Sequence, residues 1–273
     1  MNILKNILFG LVSGIAGFLP VSASAHQNLY CMMTGMEANP LLLLFVHFGC
    51  LLAVIIHYFK RLKHMQRETR IAGAKKHRRM RQPDMAAVSD SRMLITASVP
   101  IILITLLGKG FASRLTQLWL ISVLLLINGF LLYGLQFVPA GQKDSRSMSP
   151  MDGVLYGICE ALSILPGVSG ISFVLMVGQS RGGDRSYVLD QAILLMIPCL
   201  IAAMVLDFVG IVSIGAISFL IFIGAVLAAA AAFAGAYGAI ALLRYLAVRI
   251  GFHSFAYYSL GAGLVCLIFY LMI

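Results

Sequence analysis

The sequence predicts an all-α polytopic membrane protein, with about six transmembrane helices plus two re-entrant helical hairpins in an inverted repeat. Three observations predict it. Of 273 residues, 60% are hydrophobic and 11% charged, and mean hydropathy is +0.95; a soluble domain is nearer half apolar and a quarter charged. The chain is long enough for about six to eight segments of ~20 residues each, so one membrane domain, 1–273, is expected. Finally, a proline-broken motif occurs twice. Residues 10–26 read GLVSGIAGFLPVSASAH, and residues 157–172 echo them as GICEALSILPGVSGIS. In both, Gly opens an apolar run, Leu-Pro breaks it and Val-Ser follows, with Gly and Ser 12 residues apart. Proline cannot continue a helix interior and turns its predecessor away from helix. Each copy therefore reads as helix, break, short helix.

Residues 3–35 form the first broken segment, and neither half is a comfortable span, so a re-entrant hairpin fits. Lys5, the apolar run and Ala-Ser-Ala have a signal-peptide cast, but the break and its repeat argue against cleavage. Residues 40–59 make the first full span and 60–92 a basic loop. Spans near 93–108 and 116–138 follow, joined by a turn holding Gly108, Lys109 and Gly110, with Trp119 and Tyr133 as interfacial aromatics. Residues 139–152 are a polar linker. The second broken segment is 153–179, and spans near 187–209, 214–243 and 253–272 complete the chain. The middle one is too long to stand upright. Its Gly224, Ala228, Ala232 and Ala236 form a small-residue stripe suited to close helix contact. The repeats are thus about 1–138 and 150–273. Five scattered cysteines, without CxxC spacing, read as small packing residues.

Residues 60–92 hold eleven Lys/Arg against three acids. Such a run could bind nucleic acid, but the positive-inside rule accounts for it, and no nucleic-acid partner is expected. With that loop in the cytoplasm, only Lys5, Lys109 and Arg114 of the 20 Lys/Arg lie outside, as do both termini. Attraction of the loop to anionic headgroups is compatible. Three spans separate the broken segments, so they enter from opposite faces. That is a transporter design, and it sets helix ends where an anion can bind.

Of ten acids, only Glu160 and Asp207 fall in apolar segments. A carboxylate there is a functional candidate by default. Glu160 lies in the second broken segment; a protonated or hydrogen-bonded acid between helices is the plainer account. Asp207 reads as interfacial. His26, with Ser22 and Ser24, follows the first break and suits phosphoryl transfer as base or nucleophile, or simply a hydrogen-bonding role between helices. His47 and His57 read as packed or interfacial. Ser169 and Ser172 beside Gly167 and Gly170 suit an anion nest or an ordinary helix cap, and Arg181 and Arg185 flank that segment.

The first copy resembles the signature of the undecaprenyl-diphosphate phosphatase family of the bacitracin-resistance type, roughly E-G-x-x-E-F-L-P-V-S-S-T-G-H. The second resembles that family's P-G-x-S-R-S-G-x-T. Length and span order match as well. The resemblance implies a phosphate site in which Ser22, Ser24, His26 and Ser169 are retained. It also sets the family's two glutamates on Ser13 and Gly17, its second serine on Ala23, its arginine on Gly170 and its threonine on Val174. Glu160 stands where relatives often carry glutamine.

Diphosphate hydrolysis requires charge stabilisation on the transferring phosphoryl group by Arg, Lys or a metal. Loss of such a clamp costs ~10³-fold or more in rate. The expectation is therefore a catalytically degenerate family member of the bacterial inner membrane that binds or translocates a polyprenyl-phosphate-type lipid. Its candidate residues are His26 and Glu160 for chemistry, and Ser22, Ser24, Ser169, Ser172 and Arg181 for phosphate. No metal ligands are expected, and a divalent Mg or Ca only if hydrolysis holds. One alternative is an active phosphatase with a rearranged site, recycling the lipid carrier for cell-wall synthesis. Another is a small-solute or proton-coupled transporter with Glu160 as carrier. A homodimer is possible.

Overall fold

The computed structural model describes residues 2–74, 82–139, 141–212, 218–249 and 251–272. Helix α1 (Ile3–Phe18) ends where Leu19, ahead of Pro20, turns extended (φ −95°, ψ 151°). Helix α2 (Ala23–Thr34) restarts with Ser22 as its cap, and stops at Gly35 in the left-handed region. At 16 and 12 residues, both are shorter than the ~20 needed to cross a bilayer. The second hairpin follows the same plan. Helix α7 (Pro150–Ala161) starts on a Ser149–Asp152 capping box. A 3₁₀ turn (Leu162–Ile164) and the Pro166-Gly167 corner follow, and α8 (Gly170–Ser180) is capped by Ser169. Ser22 and Ser169, the echoed serines, thus do the same job.

The long helices are α3 (Pro40–His57), α5 (Met85–Ala112), α6 (Leu118–Gly134, extended by a 3₁₀ turn to Phe137), α9 (Arg185–Ile211), α10 (Phe219–Arg249) and α11 (His253–Met272). Among the described residues these are the six helices long and apolar enough to cross a membrane. Pro100 and Pro198 lie inside α5 and α9 without ending them, as neighbouring helices permit in apolar surroundings.

Three boundaries differ from the sequence expectation. The 60–92 stretch is not simply a loop: α4 (Phe59–Gly73) occupies its first half, and α5 begins at Met85. Residues 75–81 of that stretch lie outside the described residues, as do 214–217 of the expected 214–243 span. Gly108, Lys109 and Gly110 belong to α5, not to a turn; single glycines cost a helix only about 1 kcal/mol each. The 139–152 linker is tied down, since Lys143 N–H donates to Gly182 C=O (2.9 Å) and Asp184 N–H to Lys143 C=O (2.9 Å).

Helix α4 is held by charge. Arg61 reaches Asp90 of α5 (2.8 Å) and Asp190 of α9 (3.0 Å), while the hydroxyls of Tyr187 and Tyr58 donate to Asp90 (3.0 Å) and Asp190 (2.7 Å) respectively. The hydrogen bond from His64 holds the Asp84 carboxyl at the α5 cap below its usual range.

The packing around the hairpins is reciprocal. Helix α1 lies along α10, and α7 lies along α5. The α10 stripe meets glycines of α1: a Cβ at Gly10 would sit 2.1 Å from Ala228 O, and one at Gly14 2.2 Å from Ala232 O. A Cβ at Gly157, the echo of Gly10, would sit 2.3 Å from Ala97 O of α5. Small residues let the backbones touch in both places.

Candidate active site between the hairpin tips

The two breaks meet. Gly167 N–H donates to Ser22 Oγ (3.0 Å), and Ser172 Oγ donates to Pro20 C=O (3.2 Å). Ser24 Oγ lies 3.3 Å from Ser163 C=O and 3.4 Å from Leu165 C=O. Asn128 of α6 ties the junction: its Nδ2 donates to Pro20 C=O (3.0 Å) and Ser259 Oγ of α11 (3.3 Å), and its Oδ1 accepts from Ser169 N–H (3.1 Å). Proline breaks free backbone groups that must be satisfied where water is absent, and each hairpin supplies partners to the other. Gly167 sits at φ 113°, a conformation that favours glycine. Ser22 has φ 71°, the sole positive value at a non-glycine among the described residues. The Gly167 bond helps to hold that strained conformation.

Beside this junction lies a cavity of about 220 Å³. Ser24 and Gln27 of α2, Glu160 of α7, Ser163, Ser169 and Gly170 line it together with Ser13 and Gly17 of α1. Helix α3 adds His47 and Cys50, α5 adds Thr105, and α9 adds Cys199. Among the described lining residues there is no Lys or Arg. Glu160 is fully buried, and neither of its carboxylate oxygens has a hydrogen-bond partner; Thr105 Oγ1 is likewise buried and unpartnered. A Cβ at residue 170 would meet the Glu160 carboxylate at 2.6 Å. The acid therefore fills the space into which a side chain from position 170 would extend.

The candidates named from sequence divide. Ser24, Glu160 and Ser169 face the cavity together. Ser22 and Ser172 are buried in the junction, with their hydroxyls used there. His26 is turned away: its Nδ1 meets Ser22 C=O and its Nε2 meets the Tyr258 hydroxyl, both at 2.7 Å, and its ring stacks on Tyr258. It lines a separate apolar groove with Val12, Leu19 and Phe255. Arg181 is paired with Asp152 at the far end of α7 and α8, outside the cavity lining.

Asp207, read from sequence as interfacial, and His47, read as packed or interfacial, form a pair at the cavity edge instead. Asp207 is 3% exposed. Its Oδ2 lies 2.7 Å from His47 Nδ1, and Lys109 Nζ lies 3.5 Å from its Oδ1. The apolar run marked Asp207 but not its partner, because a pairing across 160 residues leaves no local sequence signal. Asn128, inside an apolar span, was the legible signal that sequence reasoning passed over. Among the described residues no group of three or more His, Cys, Asp or Glu could hold a metal. Glu160, the one carboxylate among the described lining residues, falls short of an oxygen-rich Mg²⁺ or Ca²⁺ site.

Six span-length helices around two hairpins that meet through their broken turns define a multi-pass membrane protein with an interior cavity that polar side chains line in part. The chain belongs to the bacitracin resistance protein BacA family, whose model matches residues 6–265. It is similar to the undecaprenyl-diphosphatase of Roseobacter denitrificans, 28% identical over 98% of this chain and 99% of that protein. The undecaprenyl-diphosphatase of Jannaschia sp. is also 28% identical, over 98% of both chains. That of Alkaliphilus metalliredigens is 24% identical over the full length of both. It is thus a multi-pass membrane protein of a bacterial family.

Proposed function

We propose that this chain acts on a polyprenyl-diphosphate lipid as a membrane phosphatase with a rearranged site, the lipid headgroup entering the cavity between the hairpin tips. The observation that carries the reading is end-to-end similarity to proteins named undecaprenyl-diphosphatase. It supports hydrolysis over the loss of hydrolysis expected from Ser13, Gly17 and Gly170 alone. The terminal phosphoryl group would meet the hydroxyls of Ser24 and Ser169. Charge count and reciprocal packing support an inverted repeat with both termini outside the cytoplasm.

A second reading, binding or translocation of the lipid without hydrolysis, is favoured by one feature. The cavity holds the buried Glu160 carboxyl and no fixed cation among its described lining residues, which disfavours an anion in flight toward a more charged transition state. The deciding experiment is inorganic phosphate release from undecaprenyl diphosphate by purified chain. Steady turnover supports the first reading. Saturable binding of the lipid with no turnover overturns it in favour of the second.

A further inference from the structure

We infer that His47, oriented by Asp207, is the general base of the cavity, the group that takes a proton from the water attacking the lipid's terminal phosphoryl group. The inference rests on the phosphatase reading and names a residue that reading does not use.

A general base needs a ring nitrogen free to face the reacting atoms, and a partner on the other nitrogen to fix the tautomer. His26 meets neither demand, because both of its nitrogens are engaged away from the cavity. His47 meets both. Its Nδ1 is held by Asp207 Oδ2 at 2.7 Å, which leaves Nε2 for the cavity that the side chain lines. Asp207 is itself buried and steadied by Lys109. A carboxylate in that position holds the neutral ring with Nδ1–H toward itself, and stabilises the imidazolium once it forms.

Asp207 of α9 meets the Nδ1 of His47, and the cavity that His47 lines also holds Cys199 of α9, Glu160 of α7 and Cys50 of its own helix. Lys109 of α5 is half-exposed and reaches Asp207.

The step balances as follows. The water oxygen forms a bond to the terminal phosphorus, and the bond from that phosphorus to the bridging oxygen breaks. The bridging oxygen keeps the electron pair and leaves as polyprenyl monophosphate. One water proton passes to His47 Nε2, the other stays on the released phosphate, and the imidazolium then gives its proton to solvent. As it takes the proton, His47 also becomes the positive charge that the cavity otherwise lacks.

The test is phosphate release from undecaprenyl diphosphate by detergent-solubilised full chain across about pH 5.5 to 8.5, the range of histidine titration. Wild type should gain rate with rising pH through one ionisation. His47→Gln should lose ~100-fold or more, the usual worth of a general base, and its profile should flatten. Asp207→Asn should lose a comparable factor, because a donating amide at Nδ1 leaves Nε2 protonated, the wrong tautomer for a base, and Asp207→Glu should recover part of the loss. A merely structural Asp207 would lower Tm and leave the rate per folded chain unchanged. Wild-type rate and profile in His47→Gln would overturn the inference while leaving the phosphatase reading intact. A folded Asp207→Asn chain with wild-type rate would also overturn it. A wild-type chain that releases no phosphate would sink both together.

Discussion

Glu160 sets the character of the cavity. A buried carboxyl with no partner is costly whether it is charged or neutral, and such groups persist where function outweighs stability. Its environment is specific: Gly170 leaves room for it, and Thr105 of α5 is a second buried, unpartnered polar group among the described lining residues. Glu160→Gln keeps the shape and removes the ionisable group. The expected outcome is a Tm in detergent within a few degrees of wild type, because an unpartnered buried amide carries a cost like that of the neutral acid. Affinity for a non-hydrolysable diphosphate lipid should rise only at alkaline pH, where the acid is ionised and the substitution removes a repulsive charge. A Tm lower by more than that would mean that the carboxyl is paired in a way the structure does not record. At this scale the sequence was only partly legible. Glu160, Ser24 and Ser169 were marked by type and position, and they do share a cavity. Asp207 was marked as an acid in an apolar segment but read as interfacial, and His47 as packed or interfacial; their meaning comes from facing one another. His26 drew attention as the histidine beside the break, yet its partners are Ser22 and Tyr258.

Helix boundaries were more legible than side-chain roles, because proline and the caps act locally. Pro20 and Pro166 fall in the two breaks, and the serines two and three residues beyond them cap the helices that follow. The small-residue stripe on α10 was also readable, since its four-residue spacing is a property of one helix; that its partner is α1 was not. Contact between those two helices is backbone against backbone. Gly14→Leu places a side chain where Ala232 O already stands, 2.2 Å from the new Cβ. Overpacking costs about 1–3 kcal/mol where side chains can yield, and here the obstacle is main chain. The expected loss is therefore about 3 kcal/mol or more, seen as a collapse of monodisperse yield and Tm. A Gly14→Leu variant as stable as wild type would mean that α1 does not seat on α10. Helix α4 was hidden inside a charge run, because Lys and Arg suit a helix as well as a loop; it needs Arg61, Asp90 and Asp190 together to become visible.

At the scale of the molecule, class came from composition and layout from counting spans. Neither could show how the hairpins join, because that junction is made of single hydrogen bonds between residues about 110 to 150 apart in the chain. Two hairpins too short to cross the bilayer leave broken backbone in its interior. The fold answers by setting the two breaks against each other, and the cavity lies beside the place where they touch. The function proposed here depends on that meeting. It is tested most directly by cysteine crosslinking across the junction, in a background from which the five native cysteines are removed. Ser24→Cys and Ser163→Cys both face the cavity, and Ser24 Oγ lies 3.3 Å from Ser163 C=O. A short bifunctional thiol reagent should join them within one chain in native membranes, and a bound non-hydrolysable diphosphate lipid should slow the reaction. No crosslink, with both cysteines shown to react singly, would contradict the joined hairpins and the site built between them.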